Sequence, residues 1–526
     1  MSKATISTLL MTTAGVLALA GCGDSRDATE APTSAGDDGT TSGGGDGMMD
    51  TASDEDTGEK LDLGGGSDDG EPLPTACGGD LNDCELIDVL FVVDNSGTMG
   101  EEQLNLSRNF AQLIERLENL EKPDGGGTIN ADVNIMVTTS DFGHPLCTDF
   151  QPEGYQPSQG QPVFTGCNAR INAFTSVHPF NPTEIPEACT EGCPADVVPG
   201  GDPFIHFDSS SSNVAMGDVS GALSCVAPQG INGCGYEAPL ETMLHALRPE
   251  ACWNDPKSEA CEDDEDWGWV GRGFIRRGST LAIAIVTDEA DCSVMSPEGF
   301  SYFTQSDRDD YWLEDPNIEA LAPSSAVCWR AGVECIDEDD DGVYEACESK
   351  DNPVLHPTSR YKDFLAYLEA ELSVEVVMLG VLGVPPVTAR NEEPPFEPTE
   401  GGVFALEYRD WRDGEYDGTP EGGDILPADW ADDIDAAHKQ WEFGIGPGCT
   451  GITTVVDEET GEESEVFTGQ AIPPVRIREV CESLNETDED GNTKTRCCIE
   501  SICDDDFSPA VDCLTGIIQD AVTPVG

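Results

Sequence analysis

Asp94, Ser96 and Thr98 stand two residues apart in FVVDNSGTMGEEQ (91–103), directly after an apolar run. One carboxylate and two hydroxyls at i, i+2 and i+4 offer hard oxygen donors from a single tight loop. That donor set suits Mg²⁺, Mn²⁺ or Ca²⁺ rather than zinc. A second apolar run, LAIAIV (281–286), ends in Thr287-Asp288. Two aspartates at two strand ends are explained together if both reach one cation.

A second oxygen-rich stretch is CIDEDDDGVYEACES (335–349). Asp337, Asp339, Asp341, Gly342, Glu345 and Glu348 fall at positions 1, 3, 5, 6, 9 and 12 of an Asp-x-Asp-x-Asp-Gly calcium loop, and Val343 would offer its carbonyl. Tyr344 takes a place that is usually aliphatic, and no good helices flank the loop. Cys335 and Cys347 bracket it instead. The expectation is a disulfide-clamped Ca²⁺ loop rather than a helix–loop–helix module.

Hydrolytic chemistry fits less well. A phosphatase of the haloacid dehalogenase type needs a second aspartate where Ser96 stands, and a hydroxyl cannot give and reclaim a proton near neutral pH as a carboxyl can. The sequence NSG is not the Gly-x-Ser-x-Gly of a serine hydrolase. The six histidines are scattered without ligand or triad spacing; His245, in a helical stretch, reads as a packing or surface residue. No catalytic residue is nominated, and the chain is expected not to be an enzyme.

The elements that must position these residues are legible as runs. IDVLFVV (87–93), VNIMV (133–137), LAIAIV (281–286) and VEVVMLGVLG (374–383) are near-continuous apolar stretches, as in strands buried on both faces. Leu106, Phe110, Leu113 and Leu117 recur at helical spacing. YKDFLAYLEAEL (361–372), VRIREVCESL (475–484) and the segment after Ser508-Pro509 read as further helices. Alternating buried strands and helices predict an α/β fold with a doubly wound, mostly parallel sheet. In such a sheet ligands sit at the carboxyl ends of the strands, where Asp94 and Asp288 lie. Between the elements run long cysteine-bearing stretches near 142–230, 292–356 and 388–470, read as disulfide-stapled insertions on one scaffold spanning 77–526.

At these residues the chain resembles a von Willebrand factor type A domain, a Rossmann-like fold. Asp94, Ser96 and Thr98 match that family's Asp-x-Ser-x-Ser, and Asp288 in IVTDEADCS matches its aspartate after the central strand. The resemblance implies a metal-ion-dependent adhesion site. The family's third element is a threonine in a loop before a helix; in CGYEAPLETML (234–244) the helix register puts Glu237 there, a departure. The likeness is closest to secreted, cysteine-rich bacterial type A proteins, in NGCGYEAPLE (232–241), GFIRRGSTLAIAIVTDEADCS (273–293) and SICDDDFSPAVDCL (501–514). It implies an adhesion-type module that binds a divalent cation and a protein or cell-surface ligand. With Asp94, Glu237 and Asp288 the cation would meet three carboxylates, so it would be held more tightly and would capture an acidic partner less well. The alternative is a structural envelope protein in which calcium only braces the fold; an exported metal-dependent hydrolase ranks below both.

The whole chain sets the context. Of its 526 residues, 104 are acidic and 25 basic, for a net charge of −79. Such a surface repels nucleic acid and anionic lipid. The 21 cysteines, mostly outside paired CxxC spacing, indicate an oxidising compartment. Residues 1–21 read as a signal peptide, and Leu19-Ala20-Gly21-Cys22 resembles the lipobox of bacterial lipoproteins. By that resemblance Cys22 carries the lipid, which leaves an even number of cysteines to pair. Gly23 at the next position favours the outer over the inner membrane. From 22 to 76 the chain is Gly, Asp, Ser and Thr without an aromatic residue, the composition of a disordered acidic tether. The expected location is the cell envelope, lipid-anchored.

Overall fold

Strand β1 (Cys84–Val93) shows how one stretch organises the molecule. Successive side chains of a strand point to opposite faces. Val89, Phe91 and Val93 enter one hydrophobic core, while Leu90 and Val92 enter another. Both faces are therefore covered, which is why the sequence is apolar throughout rather than alternating. Around β1 lie β2 (Asn130–Thr139), β3 (Ile205–Phe207), β4 (Thr280–Val286), β5 (Glu375–Leu382) and β6 (Cys497–Ser501). They form one six-stranded sheet in the order β6-β5-β4-β1-β2-β3. All neighbours run parallel except β3, which pairs antiparallel with β2 at the edge.

The computed structural model describes residues 84–522 apart from 122–126, 149–150, 153, 176–188, 190–192, 194–198, 257, 259–272, 338–340, 417–421, 427–433, 457–462 and 488–492. The expected signal peptide, Cys22, the tether and Asp339 lie outside the described residues.

Helices cover each face. Helices α1 (Gly100–Glu118), α2 (Val219–Val226) and α6 (Ser508–Ala521) line the first core; α3 (Pro239–Ala246), α4 (Thr358–Leu372) and α5 (Val475–Glu482) line the second. The helical spacing in α1 buries Leu106, Phe110, Leu113 and Leu117 together, and Phe110 meets Phe91 edge-on at 5.4 Å between ring centres. Pro239 and Pro509 open α3 and α6, where a missing N–H costs nothing. The fold is thus α/β with a mostly parallel central sheet, as the runs predict.

Two sheet elements fall where the sequence gives no run. The stretch 142–230 holds not only cross-linked loops but also edge strand β3 and helix α2, both packed on the first core. Three residues of IHF are too few to show a period, and VSGALSCV carries Gly and Ser within its helical pattern. Strand β6, CCIES, carries cysteines that read first as disulfide partners. They are both: Cys497 bonds Cys481, and Cys498 bonds Cys513.

Beyond the ends of β4 and β5 the chain builds small satellite cores. One gathers Cys292, Phe303, Val327, Cys328, Val354 and Leu355; another gathers Trp329, Trp411, Ile445 and Ile472. Every cysteine among the described residues is disulfide-bonded. No helix among them is long and apolar enough to cross a membrane.

Candidate metal centre

The strand order reverses direction between β1 and β4: from β1 the chain moves outward to β2, and from β4 it moves the other way to β5. A crevice opens at the carboxyl ends of strands where such a reversal occurs. Asp94 follows β1 directly, and Asp288 lies two residues beyond β4. Backbone bonds lace the ends together. The Asp94 N–H donates to the Val286 carbonyl (2.9 Å), Ser140 to Val93 (3.2 Å), Thr287 to Val381 (3.2 Å), and Ala238 to Ser140 (3.0 Å). The loop carrying Glu237 is thereby fixed to the ends of β1 and β2.

Side-chain bonds then set the donors. The Ser96 N–H donates to Asp94 Oδ1 at 2.8 Å, and the Thr287 hydroxyl donates to Asp94 Oδ2. Ser96 Oγ lies 3.2 Å from Thr98 Oγ1. The Ser140 hydroxyl donates to Glu237 Oε2. Glu237 Oε1 and Asp288 Oδ1 are buried with no hydrogen-bond partner. Asp94, Ser96, Glu237 and Asp288 are buried, whereas Gly97 and Thr98 are exposed. The site is approached over Thr98.

Electrostatics point the same way. Burial pushes Asp94 up to about 6, partly offset by bonds from Thr287 and Ser96. Burial, and then the charge of Asp94, pushes Asp288 up to about 7. Glu237 rises well above the usual carboxylate range through burial, then through Asp94 and Asp141. Half-buried Glu289 rises as well, through burial and then Asp288 and Asp94. Among the described residues no positive charge offsets Asp94, Glu237 or Asp288, while Lys439 partly offsets Glu289; a divalent cation would supply positive charge to the first three.

The residues present therefore fit a hard cation. Asp94, Ser96, Thr98, Glu237 and Asp288 come from three distant chain regions and meet at one place. Ligating trios of His, Cys, Asp or Glu within 4.8 Å of one another lie elsewhere among the described residues: Cys167, Cys189 and Cys193, and Asp132, His206 and Asp208. Disulfides remove the cysteines as ligands.

Supporting residues go unnoticed in the sequence. Gln103, buried in α1, donates to the carbonyls of Asp94 and Gly230, both at 2.7 Å. Its Oε1 accepts from the N–H groups of Gln229 (2.8 Å) and Gly230 (2.9 Å). Tyr155 accepts from Asn95 Nδ2 (3.0 Å) and donates to buried Asp141 (2.7 Å), which also accepts from the Cys234 N–H. Only the GEEQ that opens α1 hints at Gln103; nothing local marks Tyr155 or Asp141.

At the proposed calcium loop, Cys335 and Cys347 are bonded, and they are paired across the hairpin Val333–Ile336/Ala346–Ser349. Asp337 accepts from the N–H groups of Asp341 (3.3 Å) and Gly342 (3.1 Å), and Asp341 from that of Val343 (3.0 Å). Gly342 takes φ +76°, the left-handed conformation a tight loop needs there. Glu345 and Glu348 are exposed, with Glu348 on the strand opposite Glu334. A hairpin rather than a helix pair carries the loop. No protein-family model, curated protein or solved structure matches this chain.

Proposed function

We propose that this chain is a lipid-anchored cell-envelope binding module of the von Willebrand factor type A kind, which holds a divalent cation at the strand ends and engages a protein or surface ligand there. The observation that carries the reading is the meeting of Asp94, Ser96, Thr98, Glu237 and Asp288 at the reversal between β1 and β4, with two buried carboxylate oxygens left unpartnered. Mg²⁺, Mn²⁺ or Ca²⁺ would be held by those five residues and would supply positive charge to the partner. No nucleophile or general base is assigned. Glu237 and Glu289 add negative charge around the ion, so the partner docks through carbonyl or cationic groups rather than through a carboxylate.

The test is a pull-down from envelope extract with and without chelator, comparing wild type with Asp94→Ala. Chelation and the substitution should each remove the same partner while the protein keeps its melting transition. A partner retained under both conditions would sink the reading.

The burial of Asp94, Glu237 and Asp288 favours one second reading, in which the cations, with Ca²⁺ also at 337–348, only brace the fold. In that case chelation abolishes the melting transition itself.

A further inference from the structure

We propose that a cleft beside the strand-end site is a subsite for a cationic side chain of the bound partner, a lysine or arginine whose head reaches the carboxylate of Glu289. The occupant rests on the binding-module reading above; the cleft does not. It holds about 230 Å³, counting the space open to solvent. Glu289, Ala290, Ser325, Phe443 and Ile472 line it, together with the Cys292–Cys328 disulfide.

Its place follows from the chain. Glu289 and Ala290 directly follow Asp288, and Gly235, also on the cleft wall, is two residues before Glu237. The Cys292 N–H donates to the Glu237 carbonyl at 2.6 Å, and the Ile472 N–H donates to the Asp288 carbonyl at 2.7 Å. The loops that carry two of the proposed cation ligands are thus the walls of the cleft, and one partner can reach both.

Three observations select a cation on an alkyl stem. The first is the state of Glu289. It is half-buried and its N–H donates to Thr287 Oγ1 (3.2 Å), but its carboxylate has no hydrogen bond or ion pair among the described residues. A neutral occupant would leave that carboxylate desolvated and unpaired, and an acidic one would repel it. The second is charge. Lys439, which partly offsets Glu289, is committed to another partner: its Nζ pairs with Glu442 Oε2 at 3.1 Å and stands 4.9 Å over the Phe443 ring. Two carboxylates thus share one ammonium, and a cation from the partner restores the balance. The third is the lining. Ala290, Ile472 and the disulfide offer apolar surface to a methylene stem, as long cationic side chains use it. The Ser325 hydroxyl donates to the Glu442 carbonyl at 2.6 Å, so its lone pairs are left to accept from an ammonium or guanidinium.

The experiment uses the full chain in saturating Mg²⁺ and about 0.5 M NaCl, which screens the acidic surface. Ligand-observed NMR titrates Nα-acetyl-lysine methylamide and Nα-acetyl-arginine methylamide against the neutral Nα-acetyl-norleucine methylamide. The expected result is saturable binding of one or both cationic probes, with the norleucine probe at least about 10-fold weaker, the worth of one hydrogen bond to a charged group. Glu289→Gln should weaken the cationic probe by the same factor. Ala290→Leu, which fills the cleft and keeps every charge, should abolish binding. Melting curves check that each variant folds; should Glu289→Gln not fold, Ala290→Leu and the norleucine comparison decide. Unchanged binding in a folded Glu289→Gln or Ala290→Leu variant, equal binding of the norleucine probe, or no saturable binding in wild type overturns the proposal. So does a probe that binds the chelated protein and is displaced by Mg²⁺, since it then occupies the cation seat. The pull-down answers separately: a partner lost on chelation stands without the probes, and probe binding stands even if the partner survives chelation.

Discussion

A single side chain, Gln103, shows what the strand-end site costs to build. It satisfies two carbonyls and two N–H groups of two separate loops. Each buried polar group left unpaired costs about 1–3 kcal/mol, so Gln103→Leu should destabilise the body by at least about 2–4 kcal/mol in chemical denaturation, and should also weaken the cation site. Glu237→Thr separates two roles. If Glu237 is a ligand, the substitution lowers cation affinity measured by calorimetry; equal affinity would mean that the glutamate serves only its loop. The carboxylates also set a pH dependence. Asp94 and Asp288 hold protons in the folded, metal-free state that the unfolded chain has released by about pH 4. Their contribution to stability is therefore full below that pH and is lost as pH rises through about 6 and 7. Without metal the melting temperature should fall between pH 5 and 8 more steeply in wild type than in Asp288→Asn; with saturating Mg²⁺ the fall should vanish. At this scale the candidate oxygen donors were legible because each follows an apolar run or lies just before a helix. Gln103, Ser140, Asp141, Tyr155 and Thr287 were not, because their partners are brought to them only by the fold.

Elements are joined by chemistry that the sequence displays but does not pair. Cys497 and Cys498 are neighbours on edge strand β6, so their side chains leave opposite faces. Cys497 lies in one core and bonds Cys481 of α5; Cys498 lies in the other and bonds Cys513 of α6. Two adjacent residues thus staple a helix to each side of the sheet. The 15-residue separation of Cys498 and Cys513 sets the size of one staple. A loop of that length is worth about 3 kcal/mol in the chain-entropy account. The double substitution Cys498→Ala/Cys513→Ala should lower the unfolding free energy by about that amount while leaving cation affinity at the distant strand ends unchanged. A loss near zero would show that packing of α6 alone holds that edge. The four central strands and the long helices were legible as runs. The edges were not, since β3 is too short to show a period and β6 is defined as much by its partners as by its residues.

The whole molecule carries a net charge of −79, and this bears on its stability differently from the buried pairs. Arg409 with Asp424, Arg476 with Asp291 and Arg276 with Asp88 are largely withdrawn from solvent, so dissolved salt barely screens them. The exposed carboxylates face water, repel one another and favour expansion. The range of that repulsion is the Debye length, which shrinks from about 30 Å at 0.01 M salt to about 3 Å at 1 M. Raising NaCl across that span should therefore raise the melting temperature of the chelated protein. A melting temperature that falls with salt would mean that surface ion pairs outweigh the repulsion. Divalent ions act by a second route. Mg²⁺ added at constant ionic strength should give a further, saturable rise in wild type, and Asp94→Ala should lose that rise while keeping the NaCl response. Charge balance was the plainest fact in the sequence. That a small part of it is buried at two ends of one sheet, and so escapes screening, follows only from the strand order.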